Sequence, residues 1–259
     1  MALVAGVDSS TQSTKVEVRN LDTGEIVASG SAPHPPVQAP CSEQDPESWW
    51  SALGLAWDAA GSPRVEALSI GGQPPGLVAH DDAGSAVHPA KLWNDTESSA
   101  DADALVERHG AEALAQHVGS VPVAAFTLTK LAWLHRTRPE AAQQIAHVLL
   151  PHDYLTHRLT DEYTTDRGDA SGTAYWSPST GTYAWDLLAE IDPDRAWEST
   201  VPTVLDPLDA AGEWHGALVA PGTGDNMDAA LGVGLTPGAA VISIGTSGTV
   251  YAVSAAPAA

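Results

Sequence analysis

The stretch Leu3-Val-Ala-Gly-Val-Asp8-Ser-Ser-Thr-Gln-Ser-Thr14-Lys15-Val-Glu-Val-Arg19 decides the fold class. Leu3 to Val7 is short and apolar, the mark of a buried strand. Asp8 to Thr14 is small and polar, the composition of a tight turn. Val16 and Val18 then alternate with Glu17 and Arg19, which is the period of a second strand. Asp22-Thr-Gly24 turns the chain again, and Ile26 to Gly30 forms a third strand. The chain therefore opens with a meander of three antiparallel strands. A dinucleotide-binding fold would open by alternating strand with helix.

Further along, Pro33 to Pro40 holds four prolines and reads as an extended loop. Asp45-Pro46-Glu47 signals a helix start, with an acid at the N-cap and proline at the first helical position. Trp49, Trp50, Leu53, Ala56 and Trp57 follow at helical spacing, and Gly61 and Pro63 end the helix. Val65 to Ile70 predicts a strand, followed by the tight loop Gly71 to Gly76. Helical patterns cover 96–119 with a break near Gly110, then 129–138, 139–146 and 151–159. Residues 160–185 read as loop with short strands. Ala217 to Pro221 predicts a short strand, Ala229 to Gly234 a helical turn, and 239–243 with 249–253 a hairpin. An isolated hairpin is only marginally stable. The boundary is therefore drawn at 238, with 239–259 as the opening of a second domain whose remainder is absent. The alternative is that this hairpin completes the sheet of the first domain.

Composition removes several classes. There are 11 Lys+Arg against 33 Asp+Glu, a formal charge of −22, which repels nucleic acid and anionic membrane. No apolar run is long enough to span a bilayer as a helix, and the N-terminus has no basic leader. With one cysteine, Cys41, no intrachain disulfide can form. Together these fit a cytoplasmic protein. A homodimer is carried as an open alternative.

Three constellations can carry chemistry. In the first loop, hydroxyl residues around exposed backbone N–H groups can form a nest for phosphate, and Asp8 can hold a metal-bound water. The loop Ile244-Gly245-Thr246-Ser247-Gly248-Thr249 repeats that design. In Gly222-Thr-Gly224-Asp225-Asn226 the glycines permit a tight bend that projects Asp225 into a cleft. Asp225 can there take a proton from an attacking alcohol. It can equally serve as an N-cap for the segment that follows. Polar hairpin turns are also common without any ligand.

These motifs, together with Glu43-Gln-Asp-Pro-Glu-Ser-Trp-Trp50, Leu92-Trp-Asn-Asp95, His152-Asp-Tyr-Leu155 and Gly168-Asp-Ala-Ser-Gly-Thr173, resemble the FGGY carbohydrate kinases, and within them the xylulose kinases. They follow the family's order over nearly the whole chain. The resemblance implies an α/β, ribonuclease-H-like (actin-like ATPase) domain: a mixed sheet opened by the meander, with helices on its faces. It implies ATP with Mg²⁺ and a small sugar as ligands. Asp225 matches the catalytic base and Asp8 the acid near metal and phosphates. Ser10, Thr11, Gln12, Ser13 and Thr14, and Gly245, Thr246, Ser247 and Gly248, match the two phosphate loops. Gln73, Trp93, Asn94, Asp95, Asp225 and Asn226 fall on the sugar side.

One departure stands out. Where xylulose kinases carry a sugar-contacting histidine, this chain has Pro75, within Gly72-Gln73-Pro74-Pro75-Gly76. Proline offers no donor. Either the substrate differs, or another group fills in, or D-xylulose binds poorly, and a rigid loop with no ligand role is equally open; D-xylulose is the leading substrate and ribulose, an L-ketose or a polyol the alternatives. A non-catalytic sugar binder on the same fold is the rival reading. Of nine tryptophans, Trp49, Trp50 and Trp57 are expected in the core and Trp93 at the sugar. None of the ten histidines shows metal-ligand spacing. The chain alone is expected to bind sugar and to phosphorylate it slowly or not at all.

Overall fold

The computed structural model describes residues 2–37, 41–244 and 248–254. Strands β1 (Leu3–Ser9), β2 (Ser13–Asn20) and β3 (Ile26–Pro33) form an antiparallel meander. Helix α1 (Pro46–Ala59) starts where the sequence places it: the Asp45 carboxylate accepts from Glu47 N at 3.0 Å. Strand β4 (Ala67–Gly72) runs two residues further than expected and lies parallel to β1. The broken helical pattern becomes α2 (Ser99–His109) and α3 (Ala111–Val118), separated by Gly110 at φ +84°. Then come α4 (Thr127–Thr137) and α5 (Pro151–Thr160).

Strand β5 (Thr164–Asp166) and the short helix α6 (Arg167–Ala170) follow, then α7 (Trp185–Ile191), in a stretch to which the sequence analysis assigns no element. Strands β6 (Gly212–Trp214), β7 (Ala217–Val219) and β8 (Thr223–Gly224) return to the sheet. Helix α8 (Asp225–Gly232) leads to the hairpin of β9 (Ala240–Ile244) and β10 (Gly248–Ala252).

The main sheet has the order β6-β7-β4-β1-β2-β3, with β8 also on β4. β1, β7 and β8 all run parallel to β4, so the sheet is mixed. Among the described residues, β9 and β10 pair only with each other. The hairpin therefore does not complete the first sheet. No helix among the described residues is long and apolar enough to cross a membrane.

Strand parity decides where the core sits. Ala5, Val7 and Ser9 point to one face of β1, and Val16 and Val18 to the same face of β2. That face is buried against Trp49, Leu53 and Ala56 of α1 and Leu155 of α5. Burying such side chains contributes about 1.5–3 kcal/mol each. The Trp49 indole donates to Gln44 Oε1 at 2.7 Å, so its polar edge is satisfied. Glu47 of α1 accepts from the Tyr154 hydroxyl of α5 at 2.8 Å and tethers the two helices. A second apolar cluster joins α3, α4 and α7 around Leu114, Leu131, Leu134 and Leu188.

Helix α1 comes close to β3 because residue 30 has no side chain. A Cβ there would lie 2.0 Å from the Ala56 carbonyl oxygen and 2.7 Å from Ala60 N. Gly30→Ala is therefore expected to push α1 off the sheet and destabilise the chain by about 1–3 kcal/mol. Gly54→Ala, on the open side of the same helix, meets nothing within 4 Å and should gain ~0.5–1 kcal/mol. Urea denaturation of both variants checks the contrast. Equal midpoints would show that the close approach carries no weight.

Candidate active site

The carboxyl ends of β1, β4 and β8 come together in register. Asp8 pairs with Gly71 and Ser9 with Gly72, while Thr223 pairs with Gly71 and Gly224 with Gly72. Ligands bind at such strand ends in open α/β sheets. Asp225 follows directly, as the first residue of α8. Gly224, not Asp225, is the N-cap, and no side chain caps this helix. The capping role considered for Asp225 is thus not the observed one. Its carboxyl is left to face a cavity of about 290 Å³ lined by Thr11, Pro74, Trp93, Asp225, Asn226, Gly248 and Thr249. Larger clefts exist, such as one of about 650 Å³ beside Trp57 and Trp214. Of the residues singled out from the sequence, the smaller one gathers Thr11, Trp93, Asp225, Asn226 and Gly248, while Asp8, Gln73 and Asn94 are not on its wall.

Hydrogen bonds tie the cavity wall together. The Trp93 indole donates to Thr11 Oγ1 at 3.0 Å, and Thr11 Oγ1 donates to Gln73 Oε1 at 3.1 Å. Gln73 is buried, and its amide nitrogen has no partner among the described residues. Asn94 Oδ1 is likewise buried and unpaired. Such orphaned groups are rare and mark a place where a ligand or water can bond. Thr11, expected at phosphate, is thus joined to the sugar-side residues Trp93 and Gln73.

Two expected ligands are otherwise engaged. Thr14 is fully buried, and its hydroxyl shares hydrogen bonds with His34 Nε2 at 2.8 Å and Ser9 Oγ at 3.2 Å. It belongs to the inward face with Val16 and Val18, so it cannot present its hydroxyl to a phosphate. Strand alternation carried that signal. Asp95 is not on the cavity wall either. Its Oδ2 accepts from Ser42 N at 3.0 Å and Lys91 Nζ at 3.1 Å, and its Oδ1 from Glu97 N at 3.1 Å. The buried Lys91 ammonium also meets Glu43 at 2.9 Å and Glu97 at 2.6 Å. Glu43, Asp95 and Glu97 have the spacing of a metal cluster, but Lys91 already supplies the cation. Asp95 acts by fixing the turn that carries Trp93 and Asn94.

Around the strand ends the remaining placements hold together. The first turn closes with Ser10 N donating to Ser13 O at 3.1 Å, and Gln12 is exposed. Asp8 pairs with Lys15 at 3.1 Å, directly across the β1–β2 ladder. Gly248 lines the cavity, whereas Gly245, Thr246 and Ser247 lie outside the described residues. Burial raises the Asp225 carboxyl to about 6, helped by the charges of Asp8 and Asp169. Asp228 is raised to about 6, again mainly by burial. Such elevation concentrates at functional sites.

Sequence reasoning missed His152. Its ring is fully buried among acids: Nδ1 lies 2.9 Å from Asp169 Oδ2, and Nε2 lies 3.0 Å from Asp153 Oδ1 and 3.5 Å from Asp166 Oδ1. Burial by itself would lower its pKa, but Asp153, Asp169 and Asp166 drive it up to about 10. The His152-Asp-Tyr-Leu155 motif marked the position without revealing its surroundings.

Residues 3–251 match the FGGY family of carbohydrate kinases, N-terminal domain, and the chain belongs to that family. It is 51% identical over 264 residues to a xylulose kinase of Streptomyces coelicolor, covering 97% of this chain and 54% of that protein. A xylulose kinase of Streptomyces rubiginosus is 49% identical, with 97% and 54% covered. The solved xylulose kinase from Bifidobacterium adolescentis matches with a TM-score of 0.90 at 39% identity, over 97% of this chain and 59% of that one. The fold is therefore the actin-like ATPase fold of the FGGY sugar kinases. The chain spans about half the length of the relatives it matches.

Two measurements follow from this geometry. In carbon-detected NMR, the Asp225 carboxyl is expected to titrate near pH 6, and Asp8→Asn should lower its midpoint. An ordinary value of about 4 in both proteins would refute the electrostatics described. Asp95→Ala should destabilise the chain by about 1–3 kcal/mol in urea, because it strips a hydrogen-bonded anion from buried Lys91. An unchanged midpoint would mean that Glu43 and Glu97 suffice.

Proposed function

We propose that the whole protein transfers the γ-phosphoryl group of ATP to a terminal hydroxyl of a ketose, with D-xylulose the leading substrate. One observation carries this reading. A half-buried carboxyl of raised pKa, Asp225, lines a small cavity beside Trp93 and Asn226, in an FGGY domain that is 51% identical to a xylulose kinase. The name of that relative supports xylulose; the cavity supports a small polyol-like ligand.

The residues divide the work. The Trp93 indole face packs on the C–H face of the sugar, and the unpaired Gln73 amide and Asn94 carbonyl oxygen are available to its hydroxyls. Asp225 accepts the proton of the attacking hydroxyl. Its carboxylate form is the active base, so this function is lost as pH falls through about 6. The β1–β2 turn offers backbone N–H groups to phosphate oxygens. Beyond burial, the charge of Asp8 helps raise both Asp225 and Asp228, the mark of a site short of positive charge. That donor set fits a divalent cation beside Asp8. When bound with ATP, Mg²⁺ offsets phosphate charge. Residues 1–238 form the sugar-binding unit, and 239–259 open a second unit toward the nucleotide. In this reading the chain by itself binds sugar and turns over slowly or not at all.

The departure at residue 75 bears on the substrate. Pro74, not Pro75, lines the cavity, and Pro75 packs near Gly172. Neither proline can donate a hydrogen bond, and residue 75 is off the cavity wall, so D-xylulose stays the leading substrate with a related ketose or polyol as the alternative.

Tryptophan fluorescence titrated with D-xylulose and a panel of ketoses and polyols tests the site in this chain. A saturable change is expected, absent in Trp93→Phe and about tenfold weaker in Asp225→Ala. In the whole protein Asp225→Asn should cut turnover ~10²–10⁴-fold. Silence across the panel, or turnover that survives Asp225→Asn, would overturn the reading.

A further inference from the structure

The buried acids behind Asp225 are too many and too close for packing alone to explain. Asp153, Asp166 and Asp169 surround the His152 ring at 2.9 to 3.5 Å, and Asp228 adds its charge. His152 and Asp169 are fully buried. Buried charges persist only when they are paired and hydrogen-bonded. Here the pairing leads somewhere. Asp166 Oδ1 lies beside His152, while Asp166 Oδ2 accepts from Thr223 Oγ1 at 2.8 Å. Thr223 lies on β8, two residues before Asp225. Asp166 also caps α6, accepting from Gly168 N at 2.6 Å and Asp169 N at 3.1 Å.

Steric contacts place the same ring against the same turn. A Cβ on Gly222 would lie 2.8 Å from His152 Cδ2 and 2.5 Å from the Ile70 carbonyl oxygen. A Cβ on Gly72 would lie 2.8 Å from His152 Cβ. The imidazole is thus wedged between the end of β4 and the Gly222 turn that launches β8. Gly222 sits at φ +81°, so the turn needs glycine there for its backbone as well.

We propose that His152 and Asp166 are positioning residues. His152 fixes Asp166, Asp166 grips Thr223, and this relay holds β8 so that Asp225 faces the cavity. The assignment of Asp225 as base comes from the proposed function; the holding of β8 is independent of it. The raised pKa of His152 agrees, since an imidazolium pairs with all three acids while its Nδ1 donates to Asp169 Oδ2. Asp153 has a separate task. Its Oδ2 accepts from Leu150 N at 2.8 Å and closes the first turn of α5 beneath His152.

The test uses Thr223→Val, which removes the hydroxyl with little change in shape. Amide hydrogen exchange at 224–226 should quicken by about tenfold, while Val7 and Val16 in β1 and β2 stay unchanged. The same variant should bind the ketose about tenfold more weakly. His152→Lys, which keeps a cation, should retain more affinity than His152→Gln, with both shown folded by circular dichroism. Unchanged exchange at 224–226 in Thr223→Val overturns the relay. So does faster exchange with full ketose affinity. If the unmodified chain binds no ketose, the proposed function fails. The exchange result then judges the holding of β8 alone, and faster exchange upholds it.

Discussion

The spacing of the site depends on two glycines at the end of β4. Successive residues of a strand face opposite sides of the sheet, so Gly71 and Gly72 open one gap on each face. On one face, a Cβ at Gly71 would lie 1.8 Å from Asp228 Oδ2, so α8 can lie directly on the strand. On the other, a Cβ at Gly72 would lie 2.8 Å from His152 Cβ and 2.9 Å from His152 N, so α5 can start directly beneath it. The sheet edge is thus pinched between an acidic helix start and a buried cation. Asp8 on β1 and Thr223 on β8 flank Gly71 in the same register. Any larger side chain at either position would part the elements whose closeness raises Asp225 and Asp228.

Charge sets the second constraint. With 33 acidic residues against 11 basic ones, the chain has few cations, and two buried ones, Lys91 and His152, stand behind the cavity. Lys91 is buried among Glu43, Asp95 and Glu97, with its ammonium 3.8 Å from the Trp133 ring centroid. His152 is buried among Asp153, Asp166 and Asp169. Each fixes one wall of the same cavity: Lys91 the turn bearing Trp93 and Asn94, His152 the strand leading to Asp225. Removing one partner of such a cluster leaves an uncompensated buried charge, which costs more than an exposed pair ever contributes. Neither cation lines the cavity.

Much of this was legible locally. The polar turn between apolar and alternating stretches marked the β1–β2 hairpin, and Asp45-Pro46-Glu47 marked the start of α1. Gly222-Thr-Gly-Asp marked the bend before Asp225. What stayed hidden was contact between distant segments. Periodicity places Val16 and Val18 inward and would place Thr14 with them, but the hydroxyl-rich turn suggested a ligand instead. Asp95 looked like a sugar contact because it sits beside Trp93; its four-residue spacing from Lys91 was the clue to a buried pair. His152 gave no signal of its own. Its surroundings come from β4, α6 and the Gly222 turn, which no window of sequence contains.

The same logic explains the raised carboxyl at residue 225. A carboxylate at a helix N-terminus normally gains from the macrodipole and from free backbone N–H groups. Those effects should lower the pKa of Asp225, and its neighbour's backbone N–H does act in that direction. Yet Asp225 is raised, because burial, Asp8 and Asp169 outweigh the helix start. A base poised near neutrality is more useful for taking a proton from an alcohol than one held at an ordinary carboxylate value. Burial first, and then the acids around the strand ends, tune that group. The cation that offsets them within the protein is His152, one layer behind.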